Sequence, residues 1–74
     1  MNDYLLWYDG NPNHTLADKV TQAADRYRAK FGRNPTVCYL NPADIGDQSE
    51  INGIRLQALS NVLRHHFMVG VECG

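Results

Sequence analysis

Seventy-four residues supply one hydrophobic core and no second one, because a chain this short buries only about 60% of the surface that its unfolded form exposes. Seven Lys and Arg against eight Asp and Glu leave a formal charge of −1, which excludes a strongly basic nucleic-acid module and an acidic solvating tail as starting assumptions. Hydrophobic residues at 43% are too many for a disordered segment, and the longest apolar runs fall far short of the roughly 20 residues that a membrane-spanning helix needs.

The start of the chain, Met1 to Asp3, has neither the basic residues nor the apolar stretch of a secretory signal, so a cytoplasmic protein is expected. Tyr4 to Tyr8 is apolar at every position and is stopped by the turn formers Asp9-Gly10-Asn11-Pro12-Asn13, which predicts a strand apolar on both faces. Thr15 is a good helix N-cap, and Asp18 three residues later sets a carboxylate against the positive helix end. Leu16, Val20, Ala23, Tyr27 and Phe31 recur at steps of three and four and form one narrow apolar stripe. Gly32 suits the left-handed cap, Arg26, Arg28 and Lys30 complement the negative helix end, and Pro35 forbids continuation, so the helix ends near Phe31.

Thr36 to Leu40 is a second β-branched and aromatic run, closed by Asn41-Pro42. Strand, helix and strand with short loops predict a parallel pair joined by a right-handed crossover. Ala43 to Asn52 is polar and acidic and reads as a surface loop or one irregular turn. Ile51 to Arg64 fits either a second helix or strands; as a helix it would place Arg55 in the middle of its apolar face. As strands, Ile54, Leu56 and Ala58 alternate with Arg55 and Gln57 between turns at Asn52-Gly53 and Ser60-Asn61, and this reading is preferred. Phe67 to Val71 is a strand expected to lie centrally. The expected fold is α/β (α+β), a two-layer sandwich of order β-α-β-β-β over residues 1–74 with a mixed sheet and one main helix; the alternative is β-α-β-α-β.

One helix covers one face of a sheet, yet Leu5, Trp7, Tyr39 and Met68 and their neighbours supply apolar side chains to both. That surplus predicts a homodimer, through the open sheet face or by edge pairing, with Leu5, Trp7, Tyr39 and Met68 as candidate interface residues. The competing expectation is that the termini and the 43–52 loop fold over the second face.

Three groups of residues invite chemistry. At the carboxyl edge of a parallel unit, Asp9, Asn11, His14, Asn41 and Asp44 could bind a ligand, with Asp9 and Asp44 holding a divalent ion or exchanging protons and His14 carrying one. The same residues are ordinary turn formers, and no metal or phosphate spacing is present among them. His65, His66 and Cys73, or Cys38, could hold zinc, but adjacent strand residues point to opposite faces and no Cys-x-x-Cys or His-x-x-x-His spacing occurs, so neither metal nor cofactor is expected. Cys38 and Cys73 are too few for a disulfide framework, and both are expected as thiols.

Lys19, Arg26, Lys30 and Arg33 share a helix edge that could follow a phosphate backbone, against which stands overall neutrality. Ser49 and Ser60 have no nucleophile-elbow context, so no catalytic residue is assigned. The expected function is a non-enzymatic homodimeric interaction or regulatory module, with another protein as a further candidate partner and no membrane association. The alternatives are a small metal- or ligand-dependent enzyme at the carboxyl edge and a nucleic-acid-binding module along the basic helix edge.

Overall fold

Strand β1 (Tyr4–Tyr8) and helix α1 (Leu16–Phe31) form where the apolar run and the 3.6-residue stripe place them, in a computed structural model that describes residues 3–72. The start of α1 is a reciprocal cap: Thr15 Oγ1 accepts from the Asp18 N–H at 3.1 Å, and the Asp18 carboxylate accepts from the Thr15 N–H at 3.2 Å. At the other end Gly32 adopts φ 75°, and its N–H donates to the Arg28 carbonyl at 2.9 Å. That left-handed turn suits a residue without Cβ. The predicted stripe is the buried one, with Val20, Ala23 and Tyr27 fully enclosed beside Ala24, while Leu16 and Phe31 pack at its two ends.

Beyond α1 come β2 (Val37–Leu40), a single-turn helix α2 (Pro42–Ile45), β3 (Glu50–Ile51), β4 (Ile54–Ala58) and β5 (His66–Gly70). They join β1 in a five-stranded mixed sheet of order β1-β5-β2-β4-β3, so the two-layer α+β architecture with one main helix is the fold. Within residues 51–64 the structure is strand and loop: β3 and β4 pair antiparallel across Asn52 and Gly53, whose φ angles of 52° and 80° are the positive pair that a tight hairpin turn requires, and 59–64 form the loop to β5. The alternative with a second helix there is set aside. The 43–52 segment carries more structure than a loop, because Asn41 caps α2 with Pro42 at its first position, Ile45 packs on the core, and Ile51 is buried.

One topological expectation needs correction. β1 and β2 run in the same direction on either side of α1, but they are not neighbours: β5 lies between them, antiparallel to both. The strand that is apolar on both faces and flanked on both edges is thus β5, as its composition implies. β1, equally apolar, sits on the sheet edge with Leu6 and Tyr8 about 60% exposed, at 60% and 61%. Apolar periodicity reports which faces are dry and carries no information about which strand stands beside which.

The register sorts the side chains. Leu5 and Trp7 of β1, Cys38 and Leu40 of β2, Leu56 of β4, and Phe67 and Val69 of β5 point towards α1 and meet its stripe. Tyr4, Leu6 and Tyr8, then His66 and Met68, then Tyr39 and the fully buried Val37, occupy the opposite face, which no helix of the described residues covers. Gly70 keeps β5 narrow where the Tyr4 ring lies across it, and a Cβ there would strike that ring. Among the described residues no helix is long and apolar enough to cross a membrane.

Candidate functional site

The carboxyl edge assembles much as its residue types suggest, with one rearrangement. Asp9 stands at the end of β1 and Asp44 in α2, just beyond β2, and the His65 peptide, leading into β5, lies between them and bonds to both. The Asp9 N–H donates to the His65 carbonyl at 2.9 Å, and the His65 N–H donates to Asp44 Oδ2 at 2.7 Å. His65 adopts φ 65° to do so, a left-handed conformation that a non-glycine residue takes only when its surroundings fix it.

Each carboxylate oxygen there already has a partner. Asp9 is buried; its Oδ2 lies 2.8 Å from His14 Nδ1, and its Oδ1 accepts from the Asn11 N–H at 2.9 Å. The His14 bond, with the Asn11 bond behind it, holds the Asp9 carboxyl below its ordinary range against the opposing effect of burial. Burial also raises the Asp44 carboxyl, but the His65 N–H and the Arg64 Nε at 2.8 Å together outweigh it and the net displacement is downward. Asn41 is similarly occupied, its Oδ1 accepting from the Ala43 N–H at 2.8 Å and its Nδ2 donating to the Val62 carbonyl at 2.9 Å. Asn11 Nδ2 lies 3.4 Å from His14 Nε2.

Chemically, this edge fastens loops. Two ionised carboxylates and one amide tie the β1–α1, β2–α2 and β4–β5 connections into a single ridge, with their acceptors turned inward on the protein's own donors. Among the described residues no three His, Cys, Asp or Glu side chains gather as a metal site. His65 and His66 diverge, the first serving the loop through its backbone and the second lying against Tyr8 with ring centroids 5.0 Å apart. Cys38 is a buried free thiol under α1, its pKa pushed up to about 12 by burial, and Cys73 lies outside the described residues.

The basic helix edge is also engaged internally. Arg26 lies over the Trp7 ring at 5.2 Å, Lys30 over Phe31 at 5.3 Å, and Arg33 pairs with Asp3 at 3.6 Å. Lys19, beside the first loop, contributes to holding Asp9 ionised.

On the open face the arrangement differs. Leu6, His66 and Met68 of the sheet and Leu59, Asn61, Val62 and Leu63 of the β4–β5 loop line an open groove of about 350 Å³. Leu63 is 70% exposed at its rim, the most exposed of the large apolar side chains in the described residues. Of the four candidate interface residues, Tyr39 and Met68 lie on this face, whereas Leu5 and Trp7 point to the helix side and remain half-buried at its margin. Leu6, Tyr8 and Leu63 were not singled out from the sequence, and only Leu63, in the short Val62-Leu63 pair between the Ser60-Asn61 turn and Arg64, carried a readable signal. No family model, curated protein or solved structure matches the chain.

Proposed function

We propose that this protein is a non-enzymatic interaction module that works as a homodimer in the cytoplasm. The observation that carries the reading is the contrast in coverage: α1 closes one sheet face, while the other presents Leu6, Tyr8 and Leu63 to solvent around an apolar groove. Contiguous exposed apolar surface of this kind marks a contact region in soluble proteins. Support also comes from the polar residues, because the carboxylates best placed for acid–base or metal chemistry spend their acceptors on holding loops.

Size-exclusion chromatography with light scattering across a micromolar dilution series tests the reading. The expected result is a dimer that dissociates on dilution. A monomer at every concentration up to about a hundred micromolar, where even weak specific contacts are populated, removes it.

A further inference from the structure

We propose that the homodimer is built by β1 itself: two copies lay their β1 strands antiparallel about a twofold axis at Leu6, joining two five-stranded sheets edge to edge. This rests on the homodimer reading above and adds the edge, the register and the contacts.

The sheet has two rims of unequal promise. β3 offers two residues, too few to template a partner, whereas β1 offers five and, among the described residues, has β5 as its one neighbouring strand. Soluble proteins blunt a free edge with charge, proline, a bulge or a covering segment. Tyr-Leu-Leu-Trp-Tyr contains none of the first two, and its five residues pair with β5 without a bulge.

The direction of the main chain follows from one bond. The Asp9 N–H donates to His65, the residue opposite it in the β1–β5 register, so Asp9 belongs to a hydrogen-bonded pair. Such pairs alternate along an antiparallel ladder. Leu5, Trp7 and Asp9 therefore direct their peptide groups at β5, and Leu6 and Tyr8 direct theirs outward.

Given that parity, a twofold axis must pass through a residue rather than between two, and of those registers the one centred on Leu6 overlaps the whole strand. The strand is symmetric in type about that point. Leu6 meets the second copy's Leu6 with both main-chain bonds exchanged on the axis, Tyr8 stands opposite the second copy's Tyr4 on the open face, and Leu5 opposite its Trp7 on the helix side. Every cross-strand pair is apolar or aromatic, the combinations that stabilise antiparallel neighbours. The acidic residues that approach at the two ends are already engaged, Asp3 in an ion pair with Arg33 and Asp9 in hydrogen bonds to His14 and the Asn11 N–H. Pairing in this register also gives Leu5 and Trp7, left half-buried by α1, the neighbours they lack, and it sets the two apolar grooves on either side of the axis because Leu6 lines each.

The test is a cysteine scan in a Cys38→Ala, Cys73→Ser background. In a hydrogen-bonded antiparallel pair the Cα atoms lie about 5.5 Å apart, within disulfide range. Leu6→Cys is expected to give a covalent dimer on mild oxidation, while Leu63→Cys, off the axis, stays monomeric on a non-reducing gel. A parallel measurement needs no variant: the Leu6 and Tyr8 amides of the wild-type protein should exchange with solvent about tenfold more slowly in the dimer than after dilution to monomer. A dimer by light scattering that cross-links through Leu63→Cys and not Leu6→Cys, or whose Leu6 amide exchanges equally at both concentrations, overturns the β1 pairing and leaves the homodimer intact. A protein monomeric by light scattering overturns both.

Discussion

The two faces of the sheet are made from alternate residues of the same strands, and β5 shows the contrast within three positions: Phe67 is 1% exposed beneath α1, Met68 is only partly buried on the far side, and Val69 is fully enclosed again. What separates them is coverage, since apolar composition is nearly equal. On the covered face the stripe of α1 completes the packing of Cys38, Leu40, Leu56, Phe67 and Val69; on the open face Tyr4, Leu6, Tyr8, Tyr39 and Met68 pack sideways on one another and on solvent. Folding energy is therefore concentrated on one side, and the other is the side proposed for association. The largest effect should come from testing this directly. Phe67→Ala is expected to lose about 3–5 kcal/mol in urea denaturation, and the adjacent Met68→Ala about 1 kcal/mol or less when both are measured at concentrations below dimer formation. Similar losses at the two positions would break the comparison.

Much of the covered side was legible in advance, for reasons that the residues make plain. Thr15, Asp18 and Gly32 bracket α1 because capping is local chemistry, and Asn52-Gly53 marks its hairpin because only a few residues tolerate paired positive φ. α2 escaped notice because a single turn held by Asn41 and Pro42 is shorter than one period of any apolar pattern. The edge position of β1 escaped for a different reason: Tyr4 to Tyr8 looks the same whether β5 or β2 stands beside it, and strand order depends on contacts between residues about sixty positions apart in the chain. The carboxyl edge was legible as a cluster and illegible as a bonding state. Whether Asp44 is free depends on Arg64 and His65, some twenty residues away in a loop whose course no local signal announces.

That bonding state predicts the second effect. Asp44→Asn removes the charge from a carboxylate that holds both the Arg64 side chain and the His65 N–H, and should cost about 2 kcal/mol near neutral pH. The pH dependence has a definite sign. Asp9 and Asp44 both have folded-state pKa values below those of the unfolded chain, so their stabilisation is fully present above the ordinary carboxylate value of about 4 and is lost as pH falls through the depressed folded values. Thermal or urea titrations should show the wild-type protein and Asp44→Asn converging as pH drops below about 4, with a constant gap between about pH 5 and 8. A gap that persists unchanged into acid would mean that the Asp44 charge contributes nothing and that the edge is open to another role.

A smaller loss, about 1–2 kcal/mol, is expected for Cys38→Ser, which replaces a fully buried thiol by a hydroxyl in an apolar layer beneath α1. In a Cys73→Ser background the Cys38 thiol should also resist thiol-specific reagents at pH 8, because its pKa near 12 leaves almost no thiolate and its burial blocks approach; modification should track unfolding.

The smallest effect on folding should belong to the position with the largest effect on association. Leu6→Arg places a charge on a side chain already 60% exposed at the edge of the open face, where its long stem can lie along the groove and its head can reach water. The monomer should change stability by no more than about 0.5 kcal/mol. In the dimer, however, two such arginines would meet on the twofold axis, and like charges directly opposite one another in an antiparallel pair are destabilising. Light scattering should therefore find a folded monomer at concentrations where the wild-type protein is dimeric. Loss of folding together with loss of association would show that Leu6 belongs to the core, and the separation between the two faces would have to be redrawn.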